Sequence, residues 1–223
     1  MPLDILPPIA EHIIDVAGGL FYREGINAVG IDRIIREADV AKATMYRHFE
    51  SKDDLIAACL TRRHAAVVAA LQDGLRRSRA KGIDKVLTIF DLLAVKARAD
   101  TFRGCAFMIA TAESGGSETV RKIAREHKDA VRAIFSGLLP VTWSHRDKVS
   151  ARLNLLYDGA LAQILIYQDD GAVRTARDCA KVILEDAART ASSTACLRGP
   201  AQAAPAHRPG DGLSGLLNPR NPW

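Results

Sequence analysis

The chain has 223 residues, 48% hydrophobic and 26% charged, the balance of an ordinary globular protein of one or two domains. A formal net charge of +5 is compatible with a nucleic-acid partner without proving one. Residues 1–8 have neither a basic start nor an apolar run, and no stretch of about 18 apolar residues occurs, so neither a secretory signal nor a membrane span is expected. Cys59, Cys105, Cys179 and Cys196 are scattered without metal-ligand pairing, which predicts reduced thiols in a cytoplasm, with no metal and no cofactor.

The first helix is expected over residues 8–23, with Ile9, Ile13, Val16, Ala17, Leu20 and Phe21 as its core stripe and Gly25 as its stop. Gly18 and Gly19 lie inside it and should weaken it locally. Residues 26–56 then read INAVGIDRIIREADVAKATMYRHFESKDDLI. Ile31, Ile34 and Ile35 give one apolar face, Ala38-Asp39-Val40 a turn, and residues 41–49 a second short helix anchored by Met45 and Phe49. Asp39 suits a turn conformation, and Val40 can tuck between the helices. This is the spacing of a helix-turn-helix unit, whose second helix fits a major groove about 12 Å wide. Ser51 and Asp54 form an acidic capping box that starts a long helix from residue 52 to about 79 or 80, ended by Gly82.

Residues 9–60 resemble the DNA-binding domain of the TetR (tetracycline-repressor) family of bacterial transcriptional regulators. The resemblance rests on Phe21, Gly25, Ile31, Ile34, Ala38, Val40, Lys42, Thr44, Tyr46, His48, Phe49, Ser51, Lys52 and Leu55, and above all on the run KATMYRHF followed by Ser51-Lys52. The segments FRGCAF, REHKDAVR and LYDGALAQ are more weakly similar to one branch of the family's ligand-binding body. Three positions depart from the family pattern. Gly30 stands where Thr or Ser usually caps the first motif helix, Asp39 replaces a turn Gly, and Ala41 replaces a common Ser.

The DNA-binding residues expected from motif and resemblance are Gly30, Ala41, Lys42, Ala43, Thr44, Tyr46, Arg47, His48 and Lys52. Tyr46 and His48 resemble positions that donate to phosphate oxygens, contacts that fix register and not sequence. Arg47 either reaches guanine in a bidentate fashion or pairs with Glu50. Lys52 is electrostatically misplaced in a first helical turn, which makes sense if it faces a phosphate there. Gly30 leaves its helix's first amides open. Acidic residues outnumber basic ones over residues 1–60, so the DNA reading rests on Lys42, Arg47, His48 and Lys52 falling close together.

Beyond Gly82, helices are expected at 83–98, 102–113, 117–138, 147–168 and 172–191, followed by a disordered tail over 192–223 rich in Ala, Pro and Gly. The fold class is therefore all-α. A head (1–56) is joined by the long helix to a ligand-binding and dimerisation body (57–191). Apolar stripes on the last two helices predict a four-helix dimer interface through Leu153, Leu156, Ala160, Ile164, Val173, Ala176, Ala180 and Ile183, with a second stripe at Leu155, Gly159, Ala162 and Ile166. The resemblance implies a small-molecule pocket in the body, for which Phe90, Phe102, Cys105, Met108, Trp143 and Tyr157 are the candidate lining. The plain alternative for each is core packing. Arg103 beside Cys105 would favour a thiolate.

The leading function is a cytoplasmic homodimeric regulator, a repressor released from a palindromic operator by a small-molecule effector. Two rivals remain at this point. One is a small all-α enzyme using Cys105 or a histidine, although the six histidines show no ligand spacing and no phosphate loop or nucleophile elbow is visible. The other is a non-specific architectural DNA binder, which should have a basic head throughout.

Overall fold

The computed structural model describes residues 6–197, with side chains through residue 193, and no strand occurs among them. Nine α-helices are described. The first, α1 (Pro8–Glu24), opens on a proline whose fixed φ suits a first turn and closes at Gly25, where φ is +94°. Its inward face is broader than expected, since Ala10 and Ile14 join Ile13, Ala17, Leu20 and Phe21. The Gly18-Gly19 pair does not interrupt the helix.

The motif helices are α2 (Ile31–Glu37) and α3 (Lys42–His48). The turn between them places Asp39 at φ +50°, a left-handed conformation that Asp tolerates better than most residues. Ile34 and Met45 are buried against α1, with Phe49 closing the end and Val40 half-buried between the helices. Ser51 accepts from the Asp54 amide at 3.1 Å and donates to Asp54 Oδ2 at 2.7 Å, starting α4 (Lys52–Arg77). At 26 residues, α4 is about 39 Å long. It stops earlier than expected because Ser78 turns away: its hydroxyl bonds Thr88 Oγ1 at 2.8 Å and accepts from the Ala80 amide at 3.2 Å, local bonds that compete with helix continuation.

A 3-10 turn (Gly82–Asp84) leads into α5 (Lys85–Ala97), followed by α6 (Ala106–Glu113), α7 (Glu118–Leu138), α8 (Arg146–Tyr167) and α9 (Gly171–Leu197). The expected helix over 102–113 is shortened. Residues 102–105 form a loop in which Gly104 has φ +75°, and a Cβ there would lie 2.5 Å from the Leu161 carbonyl oxygen. At the other end, α9 continues through residue 197, so residues 192–197 are helical and not a tail. The rest of the expected tail lies outside the described residues.

Phe90, Phe135 and Tyr157 pack at ring-centroid distances of 5.8, 6.2 and 6.0 Å, joining α5, α7 and α8 into the body's core. The dimer stripe expected first is mostly this same core. Leu153, Ala160, Ile164, Val173, Ala176 and Ala180 are buried within the chain itself, because α8 and α9 use those faces to pack on each other and on their neighbours. Leu156 and Ile183 are half-buried against it. The apolar side chains left in solvent are Leu155 (73% exposed), Ile166 (69%) and Val182 (62%), with Leu165 and Tyr167 beside them. These lie on the second stripe of α8 and the outer face of α9.

Candidate nucleic-acid interface

In α3, Met45 points into the core while Ala41, Lys42, Ala43, Tyr46 and Arg47 are exposed and Thr44 and His48 are half-buried. One anchored side chain per turn thus orients a face of small, basic and phenolic groups outward. Lys42 is held loosely, 3.5 Å from Asp32, with both side chains well exposed. Arg47 forms no ion pair among the described residues, so of its two alternatives the pairing with Glu50 is not formed here. Gly30 and Ala41 are the N-caps of α2 and α3, and neither helix has a side-chain cap. An added Cβ at Gly30 would meet nothing within 4 Å.

Lys52, expected at a phosphate, is engaged within the chain in the absence of DNA. Its ammonium donates to the Ile26 carbonyl at 2.6 Å and sits 6.0 Å from the Phe21 ring centroid. The cation in the first turn of α4 is thus balanced by a carbonyl of the α1–α2 loop. On the opposite side of that loop, Arg33 pairs with Glu24 and with Glu37. His12 contacts the Ala38 carbonyl at 3.1 Å, bracing the end of α2.

Several residues that sequence reasoning missed tie this head to the body. Tyr22 Oη donates to the Gly104 carbonyl at 3.0 Å and accepts from the Arg103 amide at 2.7 Å. Arg103 Nη1 donates to the Arg23 carbonyl at 2.7 Å. Glu113 Oε2 accepts from the Ile26 and Asn27 amides at 2.5 and 3.2 Å, and Asn27 Nδ2 donates to the Glu113 carbonyl at 3.0 Å. Arg103 falls within FRGCAF, but no periodicity pairs it with Tyr22 across 81 positions.

The candidate effector residues occupy several settings in the body. Phe90 and Tyr157 belong to the ring cluster, Trp143 stacks on His145 at 5.6 Å, and Met108 is 40% exposed. Cys105 is buried, with Lys128 Nζ at 3.5 Å and that ammonium paired to Asp158 at 2.6 Å, while Phe102 is half-buried. A cleft of about 260 Å³ opens elsewhere, between α1, α4 and α6, lined by Gly18, Gly19, Tyr22, Ile56, Arg63 and Ile109 among others. None of the six expected residues lines it.

Comparison with known proteins agrees with this architecture. Residues 13–59 match the family model described as bacterial regulatory proteins, tetR family. An uncharacterised HTH-type transcriptional regulator of Haemophilus influenzae is 38% identical over 48 residues, 22% of this chain and only 26% of that relative. The whole body is matched in solved structures. A TetR-family transcriptional regulator from Streptomyces coelicolor superposes with a TM-score of 0.72 at 30% identity, over 80% of this chain and 95% of that one. The reduced form of E. coli NemR shares the fold, with a TM-score of 0.70 at 22% identity over 78% and 96% of the two chains. Head, linking helix and body are therefore related to one group of proteins, which are regulators and not enzymes, and the chain belongs to the TetR family of bacterial transcriptional regulators.

Proposed function

We propose that this chain is a sequence-specific DNA-binding repressor, acting in the cytoplasm as a homodimer on a palindromic operator and released by a small-molecule effector. The observation that carries the reading is α3, where Met45 is buried and Lys42, Ala43, Tyr46 and Arg47 stand exposed. Lys42, Tyr46 and the half-buried His48 are suited to phosphate, and Arg47 to a guanine edge. Gly30, Ala41 and Thr44 lie at or near the starts of the two helices, where their small size permits close backbone approach. Lys52 supports the loop behind the interface.

A dimer is supported by the exposed Leu155 and Ile166 of α8, which share one helical stripe with Gly159 and Ala162, and by the exposed Val182 of α9. Two such faces meeting about a two-fold axis make a four-helix interface and hold two α3 helices for half-sites one helical turn apart.

Fluorescence anisotropy on the duplex immediately upstream of the gene, against random duplex at two salt concentrations, tests this. A preference of about a thousandfold, steep weakening with salt, saturation at two chains or a multiple of two, and loss in Lys42→Ala and Tyr46→Ala are expected. Equal, weak binding to that duplex, to random DNA and to every fragment of a genomic pull-down would overturn it.

A further inference from the structure

The cleft between α1, α4 and α6 carries the furthest inference. We propose that it binds a small apolar carboxylate, its hydrocarbon part against the Gly18-Gly19 floor and the side chains of Ile56 and Ile109, its carboxylate paired with Arg63. The inference deepens the regulator reading, which gives it biological meaning, while the site's chemistry stands on its own residues.

Shape is the first argument. Two glycines in mid-helix weaken α1, yet packing does not require the first of them. A Cβ on Gly18 would meet nothing closer than 3.8 Å. What its absence leaves is open floor, one of the uses to which a glycine backbone is put where a ligand must come close. The cleft, at about 260 Å³, lies just under the roughly 300–1,000 Å³ of pockets for drug-sized molecules, so its occupant is smaller than those.

Charge is the second. The two arginines that line the cleft differ in how they are satisfied. Arg62 is bound by Glu11 at 3.4 Å and Asp15 at 3.0 Å. Arg63 has no carboxylate partner among the described residues. Its guanidinium lies 3.8 Å from the Tyr22 ring centroid, a stack that orients the planar donor fork without using its N–H groups. Asp15, the acid lining the cleft, is tied to Arg62. Burial and, to a lesser degree, the Arg63 charge depress the basicity of Lys96 and His127. An apolar slot with one pre-oriented, unneutralised guanidinium matches an apolar carboxylate.

Position is the third. A ligand here touches the head through α1, the linker through α4 and the body through α6, beside the Tyr22 bonds to Arg103 and Gly104. It changes DNA affinity if it prefers one pose of head on body.

Isothermal titration of the full chain, without DNA, compares 4-phenylbutyrate with the neutral 4-phenylbutan-1-ol. The carboxylate should bind about tenfold tighter, since charge-assisted bonds are roughly twice as strong as neutral ones. Arg63→Gln should bring the two to parity. Ala66→Trp, at an exposed lining position of α4, should abolish both while helix content and thermal midpoint stay as in the wild type. Gly18→Val fills the floor from the other side and should do the same. No heat with either compound at millimolar concentration, equal affinities in the wild type, or unchanged binding in both filled variants would overturn the site. A chain that binds the carboxylate but prefers no operator upholds the site and sinks the regulator reading; one that binds an operator but neither compound does the reverse.

Discussion

Replacing Tyr22 by Phe removes one oxygen and leaves the ring. That oxygen donates to the Gly104 carbonyl at 3.0 Å and accepts from the Arg103 amide at 2.7 Å, so both of its bonds run from α1 of the head to the loop before α6. The Arg63 stack at 3.8 Å survives in Phe, which keeps the packing term near zero. A hydrogen bond contributes about 1 kcal/mol net, and more is lost where a buried partner is left unpaired. Arg103 is exposed and its amide can be rehydrated, whereas Gly104 is buried and its carbonyl cannot reach water easily. The expected loss is therefore about 1.5–2.5 kcal/mol, which for a chain of this size lowers the thermal midpoint by roughly 3–10 °C. Urea unfolding of the full chain gives the first number, and amide exchange at Arg103 identifies the bond. A loss below about 0.5 kcal/mol with unchanged protection of the Arg103 amide would refute this account of the junction.

Ala41→Ser gives α3 the side-chain cap it lacks and should raise stability by about 0.5–1 kcal/mol in urea unfolding; Gly30→Ser should gain only a few tenths, because Gly is already a tolerable cap. Gly104→Ala forces a side chain onto φ +75° and within 2.5 Å of the Leu161 carbonyl, and should cost at least about 2 kcal/mol, read as a lowered thermal midpoint. Leu155→Glu, on the exposed face of α8, should convert a dimer to a monomer by light scattering with unchanged helix content. His127 is pushed down to about 3 by burial and by the charges of Lys128, His64 and Arg63. With its folded value below the unfolded value near 6.5, its contribution is present above about pH 6.5 and is lost as pH falls toward 3, on the order of a few kcal/mol. His127→Leu should flatten the acid limb of the stability curve over that window, and parallel limbs in variant and wild type would count against the shift.

Local patterns made the head readable. The Ile31/Ile34/Ile35 face, the Asp39 turn and the Ser51–Asp54 cap depend on neighbours within a few positions, and each is where periodicity and capping chemistry place it. Lys52 was harder. Its position at a helix start argued for an anion, and its partner within the chain, the Ile26 carbonyl 26 positions away, leaves no trace in local spacing. The body shows the same limit. Helix count and breaks followed from Gly, Pro and Asp punctuation, but α8 and α9 are apolar on more than one side, so composition alone did not tell the core stripe from the outer stripe. The cleft was invisible because its walls come from three helices far apart in sequence. Its one local sign was Gly18-Gly19, which reads as helix weakness until α4 and α6 are placed opposite it.

The junction bounds how strongly body and head can influence one another. α6 is eight residues long and grips the head at both its ends, through Gly104 and Arg103 just before it and through Glu113, its last residue. A rotation of α6 that keeps one grip must strain the other, so its pose and that of the α1–α2 loop are linked, and α2 and α3 pack on α1. The six bonds involved are those of Tyr22 (two), Arg103 to Arg23, and Glu113 with Ile26 and Asn27 (three). Four of these are exposed and worth the least. At about 0.5–1.5 kcal/mol each, and with only part of the set lost in any movement, the junction can transmit a few kcal/mol. That matches the 1–3 kcal/mol, or about 5–150-fold, typical of coupling between two sites. A proposed effector that changed operator affinity by about ten-thousandfold would need over 5 kcal/mol. It would have to act through something besides these bonds, and the spacing of the two heads across a dimer is the remaining lever.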